Sequence, residues 1–129
     1  MIVLDTCLLI EALGAGGSKR AEFRRAIAAG HRMVLPSLVL YEWLLGPRLA
    51  EEIALQEAVV PAAAALAFGE PEAGKAAELY RMVSRARGRE IDLAVAACAI
   101  VWDGALWTLN PGDFADIPGL RLFNPPGPG

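Results

Sequence analysis

The chain has 129 residues, of which 55% are hydrophobic, and its formal net charge at pH 7 is -3. This length is enough to bury one core without disulfides or a structural metal, so we predict a single domain over residues 1–123. The negative net charge argues against a general polyanion binder, and binding of nucleic acid would require a local basic patch.

The apolar residues do not form a membrane segment. No uninterrupted apolar run approaches the roughly 20 residues that span a bilayer, and the first residues show no cationic segment with a cleavage site. We therefore predict a cytoplasmic protein that does not associate with membranes. The two cysteines, Cys7 and Cys98, lie in apolar contexts without paired spacing, which predicts buried, reduced thiols rather than a disulfide or a zinc site.

The first part of the chain alternates strands and helices. An apolar strand at residues 2–4 ends at Asp5, and Thr6 is placed to cap the helix that follows. After a glycine-rich break, Ser18 is predicted to cap a second helix that ends at Gly30. The side chains expected to be buried on that second helix are Ala21, Phe23, Ala26 and Ile27.

The middle of the chain holds a second strand and two helices. Residues 33–35 are predicted as a strand, and Pro36 and Ser37 begin a helix that carries Glu42. An amphipathic helix is predicted over residues 50–59, after a Gly-Pro break. Its apolar side chains are Ile53, Leu55 and Val59.

The last part of the chain continues the alternation. The Ala-rich piece that ends at Phe68 fits either a helix or a strand, although a short strand at residues 66–68 would suit the turn that follows. A helix is predicted over residues 72–87. Asp92 lies in the first turn of a strongly apolar helix, residues 93–101, whose alanines permit close packing against a sheet. The closing elements are strands at 105–108 and 120–123, and a Pro/Gly tail at 124–129 that is predicted to be disordered.

Strands that alternate with helices indicate an α/β fold with a central parallel sheet and helices on both faces. Ligands bind such sheets beyond the carboxyl ends of the strands, where Asp5 and Asn110 fall. Asp92, at a helix N-terminus, is expected at the same edge, and Glu42 lies on a helix. Acids near a core lose solvation unless a cation meets them, so their gathering suggests a divalent metal. Taken singly, each acid also fits a cap or an exposed helix position.

Four segments carry these residues in order: MIVLDT at 1–6, LYEWLLG at 40–46, DLAVAA at 92–97 and LWTLNPGDF at 106–114. Together they resemble the PIN-domain nucleases, and most closely the VapC-type toxins of bacterial toxin–antitoxin pairs. The resemblance covers nearly the whole chain. It implies a Mg²⁺-dependent endoribonuclease, with Mn²⁺ able to substitute, that hydrolyses RNA phosphodiesters with a metal-activated water and is silenced by an antitoxin.

The resemblance also implies roles for individual residues. Asp5 and Asp92 match metal ligands, direct or through one water, and Glu42 matches a ligand or a water orienter. The fourth position, often Asp in the family, is Asn110, which can orient a water but brings no charge and cannot act as a base. Asp113 is a candidate to supply the missing carboxylate to the metal, which leaves both one and two ions open.

Two basic clusters are candidates for RNA contact, with a solvated helix face as the alternative. The first cluster is Lys19, Arg20, Arg24 and Arg25, and the second, which leads into Asp92, is Arg81, Arg85, Arg87 and Arg89. In the second cluster, Arg81 and Arg85 are predicted to share one helix face. We hypothesise that this cluster binds RNA phosphates, so its neutralisation should flatten the salt dependence of binding.

Partner contacts are suggested by apolar residues in excess of what a small domain hides. They are Val39, Leu40, Leu44, Leu45 and the stretch 53–60. We predict that these residues form a groove in which an amphipathic antitoxin helix lies. A second copy of the chain is predicted to cover the rest of the apolar surface, as a homodimer.

Two other functions are consistent with parts of the sequence. Because Asn110 replaces an acid, the chain is alternatively a catalytically degenerate PIN-like module that binds RNA or protein without cleavage. An Asp that ends the first strand also occurs as the nucleophile of haloacid dehalogenase-type enzymes, but these need a second Asp where this chain has Cys7.

Overall fold

The computed structural model describes residues 1–127 and has the predicted α/β class with a parallel sheet. The strands are β1 (Ile2–Leu4), β2 (Met33–Val34), β3 (Ala105–Trp107) and β4 (Arg121–Leu122). They form one sheet in the order β2-β1-β3-β4, and each neighbouring pair is parallel. After β1 the chain forms β2 at one edge of the sheet, and it then returns to form β3 on the other side of β1. This arrangement opens a crevice beyond the carboxyl ends of β1 and β3.

Helices connect the strands and pack against the sheet. Within residues 1–127 the α-helices are α1 (Thr6–Leu13), α2 (Arg20–Ala28), α3 (Ser37–Leu45), α4 (Ala50–Val59), α5 (Glu70–Met82) and α6 (Glu90–Val101). Short 3₁₀ turns occupy Ala62–Ala64 and Pro111–Asp113. In this part of the chain, none of the helices is long and apolar enough to cross a membrane.

Among the described helices, α6 contributes the most buried residues to the core. Residues 93–99 of α6 are all buried, and four of these seven are alanines that let the helix approach β3 closely. On β3, the buried Trp107 packs against the rings of Phe23 and Phe123. A helix buried along most of its length is a rigid support, so the residues of its first turn are held firmly at the edge of the sheet.

The caps of the first two helices differ from the prediction. Asp5, not Thr6, is the N-cap of α1, because its carboxylate accepts a hydrogen bond from the Thr6 backbone N–H at 2.9 Å. Ser18 does not cap α2, since its hydroxyl donates to Glu11, and Lys19 occupies the N-cap position without a side-chain bond. On α2, Phe23 and Ala26 are buried as predicted, but Ala21 and Ile27 are exposed.

Helix α4 has the predicted bounds but buries a different face. Glu52 and Gln56 are its buried residues, because Glu52 accepts from the Leu49 N–H and Gln56 donates to the carbonyl of Val60. These bonds satisfy the ends of the helix and repay the burial of polar groups. The apolar residues that were predicted to face inward, Ile53, Leu55 and Val59, are half-buried or exposed.

Two further elements differ from the prediction. Helix α5 ends at Met82 rather than near residue 87, and Arg85 beyond it has a φ of +56°. Residues 66–68 form only a single bridge, between Leu66 and Pro36, instead of a strand. The tail prediction covered residues 124–129. Residues 128 and 129 lie outside the described residues, and residues 124–127 have no regular secondary structure.

Candidate functional site

The crevice between β1 and β3 holds Asp5 in a fixed orientation. The Asp5 backbone N–H donates to the carbonyl of Trp107 at 3.1 Å, which continues the pairing of the two strands. The Thr108 hydroxyl donates to Asp5 Oδ2 at 2.8 Å, and Oδ1 accepts from Thr6. The carboxylate is therefore held by the start of α1 and by the residue that follows β3, and only 8% of Asp5 is exposed.

Glu42 is joined to this position through Thr6. The Thr6 hydroxyl, at the start of α1, donates to Glu42 Oε1 on α3 at 2.6 Å. Because α1 packs against α3 and Thr6 directly follows Asp5, the bond places Glu42 beside the crevice. The structure thus links two of the predicted acids that are 37 positions apart in the sequence.

Asp92 completes the group of acids from the first turn of α6. It is half-buried, and its pKa is raised, chiefly by burial and further by the negative charges of Asp5, Asp113 and Glu42. The positive charge of Arg89 opposes this shift in the pKa of Asp92 but does not cancel it. The four predicted carboxylates therefore lie in one electrostatic neighbourhood, where a divalent cation would relieve their repulsion.

Asn110 and Asp113 lie on the exposed turn after β3. The Asn110 backbone N–H donates to the Thr108 hydroxyl at 3.1 Å, and its side-chain amide donates to Cys7 Sγ at 3.5 Å. Asp113 closes the 3₁₀ turn Pro111–Asp113, and its charge contributes to the raised pKa of Asp92. The turn thus brings both polar side chains to the rim of the site.

Two further side chains at the site were not predicted. Cys7 is half-buried rather than buried, and its Sγ lies 3.5 Å from Asp5 Oδ2 and 3.7 Å from Thr108 Oγ1. Burial, followed by the charge of Asp5, raises the pKa of Cys7, so the sulfur stays a thiol that donates to the carboxylate. Cys7 directly follows the first predicted motif, and Thr108 lies inside the last one, two positions before Asn110.

The basic cluster next to the site is arranged differently from the prediction. Arg81 and Arg85 do not share a helix face, because α5 ends between them. Arg89 is engaged within the chain, since its guanidinium contacts Asp116 at 2.6 and 2.9 Å. The guanidinium also holds the pKa of Asp116 below its usual range. Of the four arginines, Arg81, Arg85 and Arg87 are exposed.

The site does not contain a closed metal cage. Within residues 1–127, no three His, Cys, Asp or Glu side chains are grouped closely enough to form a ready-made metal site. The donors present are carboxylate oxygens, however, and these suit a hard cation. Mg²⁺ binds through one or two carboxylates and keeps several waters, so the open group of Asp5, Glu42, Asp92 and Asp113 fits it chemically.

The PIN domain family model matches residues 2–120, and the chain therefore belongs to the PIN domain family. This confirms the family resemblance that the four motifs indicated. No curated protein matches the sequence.

Solved structures resemble the chain over almost its full length. One is VapBC2 from Rickettsia felis bound to a promoter DNA fragment, with 19% identity, a TM-score of 0.71, and coverage of 96% of this chain and 98% of that chain. Another is DNA-bound VapBC from Salmonella typhimurium, with 24% identity, a TM-score of 0.75, and 95% and 96% coverage. A third is FitAcB from Neisseria gonorrhoeae, with 23% identity, a TM-score of 0.68, and 97% and 98% coverage. At these identities the likeness shows the fold.

Proposed function

We propose that the chain is a Mg²⁺-dependent endoribonuclease and the toxin of a toxin–antitoxin pair. The observation that carries the proposal is a pair of hydrogen bonds at the carboxyl edge of the sheet, from Thr108 to Asp5 and from Thr6 to Glu42, which orient two acids near the half-buried Asp92. The raised pKa of Asp92, caused chiefly by burial, agrees with this placement. Membership of the PIN family and the likeness to proteins of VapBC complexes support it. The nearby Arg89 is paired with Asp116 and offsets the charge of the acids only in part.

The roles follow from how each side chain is held. Asp5 is fixed by Thr108 and by its own cap, so its carboxylate is pre-oriented as a metal ligand, and Asp92 is the second ligand. Glu42, restrained by Thr6, is a ligand or orients a water. A bound Mg²⁺ would supply Lewis-acid stabilisation of the charge that develops on the phosphate and would acidify a water.

The exposed turn supplies the remaining polar groups. Asn110 has no charge and orients a water or the phosphate, while Asp113 adds the carboxylate that this position lacks. Preorganised groups of this kind reduce the reorganisation needed in the transition state. RNA, rather than another phosphodiester, is the proposed substrate on the family resemblance.

Removal of the metal tests this proposal directly. We expect the purified chain to cut single-stranded RNA in Mg²⁺ or Mn²⁺, and EDTA to stop the cutting completely and reversibly, because the acids alone cannot neutralise a phosphate. Gel analysis of a labelled RNA measures this, with Ca²⁺ as a control for bound charge without efficient catalysis. Cleavage that persists in EDTA would exclude a metal-dependent nuclease.

A second candidate function is RNA or protein binding without cleavage. It is favoured by the neutral Asn110 and by the lack of a ready-made metal group within residues 1–127. The same assay separates the two functions. RNA that is bound in a gel-shift experiment but left uncut in Mg²⁺ and Mn²⁺ would support the binding module.

The proposed antitoxin surface lies at the end of α3 and along α4. Leu44, Leu45, Leu49 and Leu55 are exposed there, and a groove of about 510 Å³ adjoins the last two. Exposed apolar side chains in a row suit the apolar face of a partner helix. A second copy of the chain is predicted to cover the rest of this surface. Sedimentation velocity of the isolated chain measures whether it is a dimer.

Leu45→Asp is expected to weaken the antitoxin complex by about tenfold or more, because a charge would be buried at the interface. Leu45 is 66% exposed, so the isolated chain should fold and cut RNA as before. Titration against the product of the adjacent reading frame measures the affinity. Met82→Asp, at a residue 57% exposed on α5, is the matched control and should have no effect. Unchanged affinity in Leu45→Asp would place the partner elsewhere, and equal loss in both variants would show that the loss is not specific to this surface.

A further inference from the structure

Arg89 joins three segments around the candidate site. Its Nη1 and Nη2 donate to the two carboxylate oxygens of Asp116 at 2.9 and 2.6 Å. Nη2 also donates to the backbone carbonyl of Asp113 at 2.9 Å, and Nη1 donates to the carbonyl of Ser84 at 3.3 Å. These contacts are called the Arg89 bridge below. A planar guanidinium that is bound on two edges has a defined orientation, which an isolated point charge does not impose.

The two ends of the bridge carry different acids of the site. Arg89 is the N-cap position of α6, and the N–H of Leu93 donates to its carbonyl, so Asp92 is in the turn directly above it. At the other end, the bridge holds the main chain of Asp113 itself. The bridge therefore fixes the distance between the start of α6 and the turn after β3, the two places from which Asp92 and Asp113 reach the crevice.

The turn has its own anchors, which makes the bridge unnecessary for folding. Phe114 and Ile117 are buried, and the Asp113 N–H donates to the Asn110 carbonyl. A partly exposed ion pair adds little to the stability of a fold. The Arg89 side chain is 22% exposed and that of Asp116 48% exposed. The buried side chains of Phe114 and Ile117 thus hold the turn in place. The bridge restrains Asp113, the exposed acid just before Phe114, through its backbone carbonyl.

We propose that Arg89 is a positioning residue, which sets the turn that carries Asp113 and Asn110 against Asp92 and does not itself bind RNA. The inference rests on the proposed nuclease function, and it gives Asp116 a role in the reaction although Asp116 lies outside the predicted site. It also replaces the hypothesis that Arg89 binds a phosphate. The two roles make opposite predictions for Asp116. If Arg89 binds a phosphate, loss of Asp116 would free its guanidinium for that contact. If Arg89 positions the turn, loss of Asp116 would remove the contact through which it does so.

The test is a double-mutant cycle with Arg89→Met, Asp116→Asn and the double variant. We expect kcat on one RNA substrate to fall about tenfold in each single variant, a loss usual for groups that orient metal ligands. We expect KM to stay within about twofold and the double variant to be no worse than either single one. Arg89→Lys should recover only part of kcat, because a lysine cannot form the two-edged contact.

A second ion pair in the chain provides the control. Arg121 contacts Asp103 at 3.0 Å at the amino ends of β4 and β3, the edge of the sheet opposite the site. Arg121→Met and Asp103→Asn should leave kcat unchanged. A general loss of stability would lower activity in both pairs, and that outcome would overturn the inference.

Two readouts do not depend on RNA cleavage. Hydrogen exchange at the amides of Asp113, Phe114 and Ile117 should become faster in Arg89→Met and Asp116→Asn and stay unchanged in the control variants. Calorimetric Mn²⁺ affinity should fall about tenfold in the same two variants. If the wild-type chain binds Mn²⁺ but cuts no RNA, the nuclease proposal fails while these measurements still decide the positioning role.

Three further outcomes would overturn the inference. One is a higher KM in Arg89→Met with unchanged kcat in Asp116→Asn, which would make Arg89 a phosphate ligand. Another is additive losses in the double variant, which would show that the two side chains act separately. The third is unaltered exchange of the turn and unaltered Mn²⁺ affinity in both single variants.

Discussion

Asp5→Asn is expected to lower RNA cleavage by about 10³-fold, because it removes the charge of the best-fixed carboxylate at the proposed metal site. Asp5 is held by Thr108 and Thr6 and is almost completely buried, so a neighbouring acid cannot readily take its place. Cleavage of a labelled RNA under single-turnover conditions measures the loss, and calorimetry should show that Mn²⁺ binding weakens in parallel.

The substitution is informative because it should leave the fold intact. Asn caps helices about as well as Asp, so its side-chain oxygen can keep the bond to the Thr6 N–H that begins α1. The Thr108 hydroxyl can still pair with the amide. Circular dichroism and thermal unfolding in EDTA are therefore expected to match the wild type, so that a loss of cleavage reports on the chemistry of the site.

Asp103→Asn is the matched control for Asp5→Asn. The Asp103 side chain is 95% exposed and lies before β3, at the edge of the sheet away from the site. Its φ is +54°, a conformation that Asn tolerates as well as Asp does. We expect full activity in this variant. Near wild-type cleavage by Asp5→Asn would remove Asp5 from the mechanism.

Asp92→Asn is expected to have two effects of opposite direction. RNA cleavage should fall by about 10²-fold or more, since a metal ligand is lost. Without metal, the free energy of unfolding at neutral pH should rise. The reason is that burial, together with Asp5, Asp113 and Glu42, penalises the ionised carboxylate of Asp92, as its raised pKa shows. Asparagine removes this penalty.

The pH dependence gives this prediction its sign. Because the folded-state pKa of Asp92 is above its unfolded value, the stability that its protonated form contributes is fully present below the unfolded pKa. That stability is lost as the pH rises through the folded pKa. The advantage of Asp92→Asn over the wild type should thus grow from about pH 4, near the unfolded pKa, towards neutrality. Urea unfolding in EDTA across this range measures it.

Added Mg²⁺ should reverse the order of stability, because the ion binds the wild-type acids and stabilises only the chain that holds them.

Glu90→Gln is the control for Asp92→Asn. Glu90 shares the first turn of α6 but is exposed. Its pKa is lowered by hydrogen bonds from backbone N–H groups, including that of Gly88. Its contribution to stability is present at neutral pH and lost as the pH falls through the folded pKa. A smaller advantage of Asp92→Asn at neutral than at acidic pH would contradict the proposed repulsion.

The sequence by itself determined the class of the fold and the places in it where Asp5 and Asp92 lie. Alternation of apolar strands with amphipathic helices predicts a parallel sheet. Ligands bind such sheets in the crevice beyond the carboxyl ends of the strands. Asp5 at the end of β1 and Asp92 in the first turn of α6 could be located from local patterns alone. Helix α4 was predicted with its observed bounds because Gly, Pro and capping signals are read within a few residues.

Only the tertiary structure decided which side chains meet. The bond from Thr108 to Asp5 joins residues 103 positions apart and exists because β3 pairs with β1 in one register. The Arg89 bridge spans 27 positions and depends on where α5 ends and how the turn after β3 folds back. The inward face of α4 is polar because Glu52 and Gln56 find backbone partners there, and no periodicity shows this. Strand order, register and long-range hydrogen bonds are set by the packing of the whole chain, so local sequence patterns do not determine them.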